Sequence, residues 1–89
     1  KITLIYNSYA DKDYVEVLRI LKPIIKELII IELDDKRIVK KEELQKTIKQ
    51  LNIKNNGTIK IEENEDYLVF GSFLVVEKFL SLIGFNEFL

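Results

Sequence analysis

Apolar and polar positions along the chain group into blocks that predict strands and helices in alternation. Ile2–Tyr6 is apolar apart from one threonine, which is typical of a buried strand. Leu28–Leu33 is largely apolar and β-branched without a period of two, as expected for a strand covered on both faces in a parallel sheet. Tyr67–Phe70 predicts a further strand and Thr58–Ile61 a short one.

Between the strand candidates, three segments carry the apolar stripe of an amphipathic helix. Asp11 or Asp13 can cap the first helix, and Pro23 ends or kinks it near Leu21–Lys22. Ser72 is a natural N-cap for the third, and Gly84 is expected to end it. The stripes are Tyr14, Leu18, Leu21 and Ile25, then Leu44, Ile48 and Leu51, and last Val76, Phe79, Leu80 and Ile83.

The element order βαβαββα predicts a three-layer, Rossmann-like α/β domain with a mostly parallel sheet of about four strands. One connection does not fit this pattern. Only Glu62–Asp66 separates the last two strand candidates, whereas a parallel crossover needs about a dozen residues. We therefore expect Thr58–Ile61 to pair antiparallel, to lie at an edge, or not to be a strand. Residues 1–89 are interpreted as a single domain.

Composition limits the chemistry that this chain can perform. The 89 residues include no cysteine and no histidine, which excludes disulfides, zinc sites of the usual kind and Ser–His–Asp or Cys–His catalysis within the chain. A net charge of −1 gives no broad attraction to nucleic acid or anionic lipid, and no apolar run is long enough to span a membrane. The absence of cysteine fits a cytoplasmic protein. The chain enters a strand at once and lacks an initiator Met, so we expect a piece of a longer protein.

A ligand site is expected beyond the carboxyl ends of the strands, where three loops should share one edge: Asn7–Asp13, Asp34–Arg37 and Gly71–Phe73. Free N–H groups at the helix start after Ser72 suit an anion, and Lys12 can add a positive charge. Simpler interpretations stay open, with Lys12 as a solvated lysine and Gly71–Ser72 as a capped turn. Neither GxxxxGK[ST] nor GxGxxG occurs, so any ATP is bound mainly elsewhere.

Two segments resemble folylpolyglutamate synthases and dihydrofolate synthases of the Mur ligase superfamily. The first is Ala10-Asp11-Lys12-Asp13 with the helix end Leu21-Lys22-Pro23, and the second is Tyr67-Leu68-Val69-Phe70-Gly71-Ser72-Phe73 with the helix start Val75-Val76-Glu77. Their order and spacing extend the resemblance over nearly the whole chain. It implies the C-terminal domain of a folate ligase, without the central ATPase domain that would be its partner.

The resemblance also implies a mechanism for the parent enzyme. The central domain binds ATP and magnesium, and ATP phosphorylates the carboxylate of a folate or pteroate. The amino group of L-glutamate then attacks the acyl phosphate and gives an amide, ADP and phosphate. The C-terminal domain closes the site and positions the substrates. We therefore expect this chain alone to be inactive, to contain no catalytic or metal-binding residue, and to have no nucleic-acid or membrane partner.

Residue roles follow from the same resemblance. Lys12 matches the family's loop lysine at the cleft and is expected to bind an anionic group of glutamate or of an intermediate. Ser72, with Gly71, matches the Gly-Ser pair assigned to glutamate, and Asp11 is expected to orient Lys12. Two features depart from the family: the Asp-Gly-Ala-His-Asn segment expected upstream is missing, and Glu62–Asp66 replaces the usual helix between the last strands.

Alternative functions remain open at this stage. The parent can be a dihydrofolate synthase, a polyglutamate synthase or both, or a Mur peptidoglycan ligase. A stand-alone flavodoxin-like or receiver-like binding module is a further class, although Asn7 and Ser8 stand where a receiver needs an acidic pair. An interaction domain that uses the Phe85–Leu89 tail is the last.

Overall fold

Strands and helices alternate along the computed structural model, which describes residues 1–84. The predicted Rossmann-like α/β class is confirmed. The Phe85–Leu89 tail lies outside the described residues. The strands are β1 (Ile2–Tyr6), β2 (Ile25–Ile30) and β3 (Tyr67–Phe70), and the helices are α1 (Tyr14–Leu21), α2 (Lys41–Gln50) and α3 (Phe73–Leu82), with a 3-10 turn at Lys22–Ile24 after α1.

The sheet has the strand order β2-β1-β3, and β1 pairs in parallel with both neighbours. Tyr6, the last residue of β1, stands opposite Ile30 on one side and Phe70 on the other. Those two residues are also the last of their own strands, so all three carboxyl ends lie level at one edge. The three loops after these strands therefore begin at the same place, as expected.

Alternating side chains of β1 enter two separate apolar cores, because successive residues of a strand point to opposite faces. On the first face Leu4 packs with Leu18 of α1 and Leu44 of α2. On the second face Ile5 packs with Val75 of α3. Each of these side chains is fully buried, and such burial contributes about 1.5–3 kcal/mol apiece. The result is a helix–sheet–helix sandwich with β1 at its centre.

Strand β2 begins three residues earlier than the sequence indicated. Leu28–Leu33 was the predicted strand, whereas the observed strand is Ile25–Ile30. Ile25 was assigned to the helical stripe, and that assignment is wrong. Pro23 lies in a 3-10 turn that ends the helix, so Ile25 is already extended and buried in the sheet.

Thr58–Ile61 is not a strand, which is the third of the three possibilities for this segment. The outer edge of β2 is occupied instead by the residues just before it. The Leu28 N–H donates to the Lys54 carbonyl oxygen at 2.7 Å, and the Asn56 N–H donates to the Leu28 carbonyl oxygen at 2.9 Å. Together they form one parallel bridge between Leu28 and Asn55. The chain thus crosses the sheet stepwise from β1 to β2 to Asn55 before it returns.

The return to β3 explains why the last connection looked too short. From Asn55 the chain must pass β2 and β1 to reach β3, so the crossover is residues 57–66 rather than Glu62–Asp66 alone. The two forward crossovers carry α1 and α2 on one face, and the return runs over the other. There Ile59 packs on the core that contains Ile29 and Ile31. This segment covers the second face without forming a helix.

The helix ends follow the sequence closely. The Asp13 carboxylate accepts a hydrogen bond from the Glu16 N–H at 3.2 Å, so Asp13 rather than Asp11 caps α1. At the far ends of α2 and α3, Asn52 and Gly84 adopt left-handed backbone angles with φ of 57° and 78°. Residues of the local sequence therefore determine where α1 begins and where α2 and α3 end.

The crossover segment is held by the Tyr67 hydroxyl. That oxygen accepts from the Glu62 N–H at 2.9 Å and donates to the Lys60 carbonyl oxygen at 3.0 Å. We predict that Tyr67→Phe lowers the free energy of unfolding by about 1 kcal/mol, because two hydrogen bonds are lost. Chemical denaturation measures this difference in the free energy of unfolding. Tyr14→Phe is the matched control, since the Tyr14 hydroxyl makes no hydrogen bond within residues 1–84. Equal stabilities of the two variants would contradict the assignment.

Candidate functional site

The carboxyl ends of β1 and β3 meet at a backbone contact between Asn7 and Gly71. Gly71 has a φ of +132°, and a Cβ atom placed there would lie 1.7 Å from the Asn7 carbonyl oxygen. Only glycine tolerates both that angle and that approach. The buried Asn7 side chain donates from Nδ2 to the Ile31 carbonyl oxygen at 2.7 Å and accepts at Oδ1 from the Ser8 N–H at 2.8 Å. Asn7 therefore contacts the first residue after β2 and the first residue after β3, as well as its own loop.

The Asn7–Asp13 loop is joined to the segment after β2. The Val39 N–H donates to the Ser8 carbonyl oxygen at 2.9 Å, and the Ala10 N–H donates to the Arg37 carbonyl oxygen at 2.8 Å. Between these bonds, residues 9 and 38 form an antiparallel bridge. The loop that carries Lys12 consequently lies on the β2 side of the edge.

A surface pocket of about 530 Å³ opens beside Lys12. Lys12 is exposed, and its N–H donates to the Tyr9 carbonyl oxygen at 3.2 Å in a tight turn. Among residues 1–84, no side-chain hydrogen bond or ion pair involves the Lys12 ammonium group. The pocket presents three cationic side chains and one carboxylate. One of the cations, Arg37, is paired with Asp35, and the remaining excess of positive charge favours an anionic ligand. Its lining residues are Tyr9, Ala10, Asp11, Lys12, Lys36 and Arg37.

Arg37 is the most constrained of the three cations. Its guanidinium donates to Asp35 through Nε at 3.1 Å and Nη2 at 2.9 Å, and its Cζ lies 4.9 Å from the centroid of the Tyr9 ring. The guanidinium hydrogen bonds, followed by the bond from the Arg37 N–H, lower the pKa of Asp35 to about 2. The carboxylate is therefore ionised at every pH near neutrality.

Gly71 and Ser72 form the second part of the edge, on the β3 side. Ser72 is extended, and its Oγ accepts from the Val75 N–H at 3.3 Å, so it caps α3 as predicted. Ser72 thus occupies the Val75 N–H, whereas the two N–H groups before it, at the first positions of α3, have no partner inside the helix and suit an anion. Ser72 does not line the pocket beside Lys12. Binding of glutamate by Ser72 and Gly71 stays a prediction.

Asp11 shares the pocket with Lys12 but makes no hydrogen bond to it within the described part of the chain. Its charge instead acts on Arg37, whose pKa is raised chiefly by the hydrogen bonds to Asp35 and to a small extent by Asp11. Orientation of Lys12 by Asp11 therefore stays a prediction, and the structure places Asp11 in the same cationic pocket.

The sequence did not identify Arg37 and Tyr9 as residues of the candidate site. An arginine two residues after an aspartate in a polar loop is usually a solvated pair, and Tyr9 is far from it along the chain. The spacing of Asp35 and Arg37 was the one local signal, since it permits the observed bidentate pair. Contact with Tyr9 depends on the folding of both loops and has no sequence signature.

Neither a magnesium site nor an ATP site can be assigned to the described residues. Residues 1–84 contain no group of three or more acidic side chains placed to hold a metal ion, and the chain has no phosphate-binding loop motif. None of the helices in this range is long and apolar enough to cross a bilayer.

Comparison with solved structures gives a strong match. The chain superposes on the crystal structure of Helicobacter pylori folylpolyglutamate synthetase with a TM-score of 0.90 and 46% sequence identity, over 94% of this chain. The resemblance to folylpolyglutamate synthases is confirmed. The chain covers 22% of the length of that synthetase, so the match extends over about a fifth of that enzyme. No protein-family model and no curated protein sequence matched the chain.

The Asn7–Gly71 contact is testable by adding one methyl group. We predict that Gly71→Ala destabilises the fold by on the order of 3 kcal/mol, because the Cβ atom collides with the Asn7 carbonyl and the backbone angle is strained. Gly57→Ala is the control, since nothing lies within 4 Å of a Cβ atom there, and we expect a change within about 0.5 kcal/mol. Urea denaturation compares the two. Equal effects would show that the loops are not packed as described.

Proposed function

We propose that this chain is the C-terminal domain of an ATP-dependent folate ligase that adds L-glutamate to a folate or dihydropteroate through an acyl phosphate. The observation that carries the proposal is the 46% identity to a folylpolyglutamate synthetase over 94% of the chain. The rest of the parent enzyme, several times longer than this chain, supplies the ATPase domain, ATP and magnesium. We expect the parent to be cytoplasmic.

In this proposal the chain contributes positioning and electrostatic attraction rather than acid–base chemistry. Lys12 binds an anionic group of glutamate or of the intermediate from the β2 side of the edge. The N-terminus of α3, with Gly71 and Ser72, receives a carboxylate from the β3 side. Holding the amino acid in one orientation favours attack by its amino group on the activated acyl carbon. No described residue is needed as a base for this role.

Product analysis on the full-length protein tests the proposed activity. With ATP, Mg²⁺, L-glutamate and a folate or dihydropteroate, we expect ADP, phosphate and an acceptor enlarged by one glutamyl residue. Ligation of an amino acid to a nucleotide-linked muramyl acceptor would favour a Mur peptidoglycan ligase instead. If no acceptor gains an amino acid and no ATP is converted to ADP, the result would favour a binding module, and the folate-ligase proposal would be wrong.

The role of Lys12 predicts a selective kinetic defect. In the full-length enzyme, Lys12→Ala is expected to raise the KM for glutamate about 10- to 100-fold, because a charge-assisted hydrogen bond is lost. The KM for ATP and the thermal stability should stay near the wild-type values. Lys46→Ala is the control, since Lys46 is an exposed lysine on α2. Wild-type kinetics of Lys12→Ala would show that this lysine is only a surface residue.

The role of Ser72 can be separated from its capping function. Ser72→Asp keeps an N-cap acceptor for α3, so the fold should be retained. The added carboxylate faces the place proposed for the glutamate carboxylate, and we expect the KM for glutamate to rise by at least about tenfold through like-charge repulsion. Ser81→Asp adds the same charge at the other end of α3 and serves as the control. If both variants bind glutamate equally well, no carboxylate binds beside Ser72.

A further inference from the structure

Arg37 joins the two loops on the β2 side of the edge through two contacts, and a third contact, with Asp35, lies within its own loop. Its guanidinium pairs with both carboxylate oxygens of Asp35, at 3.1 Å and 2.9 Å. The planar group also lies over Tyr9, with 4.9 Å from Cζ to the ring centroid. Its carbonyl oxygen accepts from the Ala10 N–H at 2.8 Å. Tyr9 and Ala10 directly precede the turn that carries Lys12.

We infer that Arg37 is a positioning residue that holds the Lys12 turn over the cationic pocket, a role that rests on the proposed binding function of Lys12. The Arg37 side chain acts through the Tyr9 ring, beside the main-chain bond between residues 10 and 37, and not through contact with the substrate. Ala10, Asp11 and Lys12 are exposed. Inside the turn, main-chain bonds run from the Lys12 N–H to the Tyr9 carbonyl oxygen at 3.2 Å and from the Tyr14 N–H to the Lys12 carbonyl oxygen at 2.9 Å, but these bonds do not fix the turn relative to the loop after β2. Orientation of the lysine toward a ligand therefore depends on the residues behind it.

The alternative of a merely stabilising ion pair is weak on physical grounds. The Arg37 side chain is 72% exposed in its pair with Asp35, and exposed pairs contribute little to the free energy of unfolding. The Arg37–Asp35 pair instead contributes geometry. A planar guanidinium that is bonded bidentately and lies over a ring holds a loop in one orientation, which a lysine cannot do. Loss of Arg37 should hence loosen residues 8–12 without unfolding the domain.

A double-mutant cycle in the full-length enzyme tests the inference. Lys12→Ala, Arg37→Ala and the double variant are compared by the KM for glutamate and by thermal stability. We expect Arg37→Ala to raise this KM about fivefold and the double variant to be no worse than Lys12→Ala alone. Arg37→Lys should resemble Arg37→Ala. Arg19→Ala is the matched control, because Arg19 makes a comparably exposed bidentate pair with Glu16 on α1, and it should match the wild type.

Hydrogen exchange of residues 8–12 supplies a readout that does not depend on activity. We expect exchange to be faster in Arg37→Ala than in Arg19→Ala. The carbonyl oxygen of residue 37 still accepts from the Ala10 N–H in this variant, but without the guanidinium contacts to Tyr9 and Asp35 that bond opens more often. Unchanged exchange, or additive KM effects in the cycle, would overturn the positioning role of Arg37. A third outcome separates the two proposals. If Lys12→Ala binds glutamate normally while exchange still rises in Arg37→Ala, the proposed function of Lys12 is wrong, but Arg37 still stabilises the loop.

Discussion

A buried asparagine at the end of the central strand is the constraint on which the carboxyl edge of the sheet depends. Asn7 uses its side chain to bind the main chain after β2 and its own loop, while its carbonyl oxygen is pressed against Gly71 after β3. A buried amide without such partners would be costly, so its hydrogen bonds specify one arrangement of the three loops. The parallel register delivers the strand ends to one level, and Asn7 joins the loops that begin there.

The edge built on this contact has two parts with different chemistry. On the β2 side the Lys12 turn, backed by Arg37 and Tyr9, presents exposed cationic groups around a pocket. On the β3 side the Gly71–Ser72 turn presents the N-terminus of a helix. In the proposed function both parts bind anionic groups, one through side-chain charge and the other through main-chain N–H groups. A domain with this division suits the proposed task of orienting an anionic amino acid toward a group activated elsewhere.

Much of the fold was predictable because its signals are local. Asp13 and Ser72 are short polar side chains directly before helical stripes, and both cap as expected. The start of β2 was misplaced because Ile25 satisfies a helical period and a buried strand equally well. Thr58–Ile61 has strand-like composition, yet the residues before it pair with the edge of β2. Which of the two segments pairs there is decided by tertiary contacts and not by local composition. The contact between Arg37 and Tyr9 was hidden for the same reason, since it exists only when two loops meet.

The most direct test of the account is a crystal structure of the full-length protein with L-glutamate, ADP and Mg²⁺ bound. The account predicts a glutamate carboxylate at the carboxyl edge of this sheet, about 2.7–3.2 Å from the Lys12 Nζ atom or from the N–H groups that begin α3. A glutamate molecule bound with neither group within hydrogen-bonding distance would contradict it.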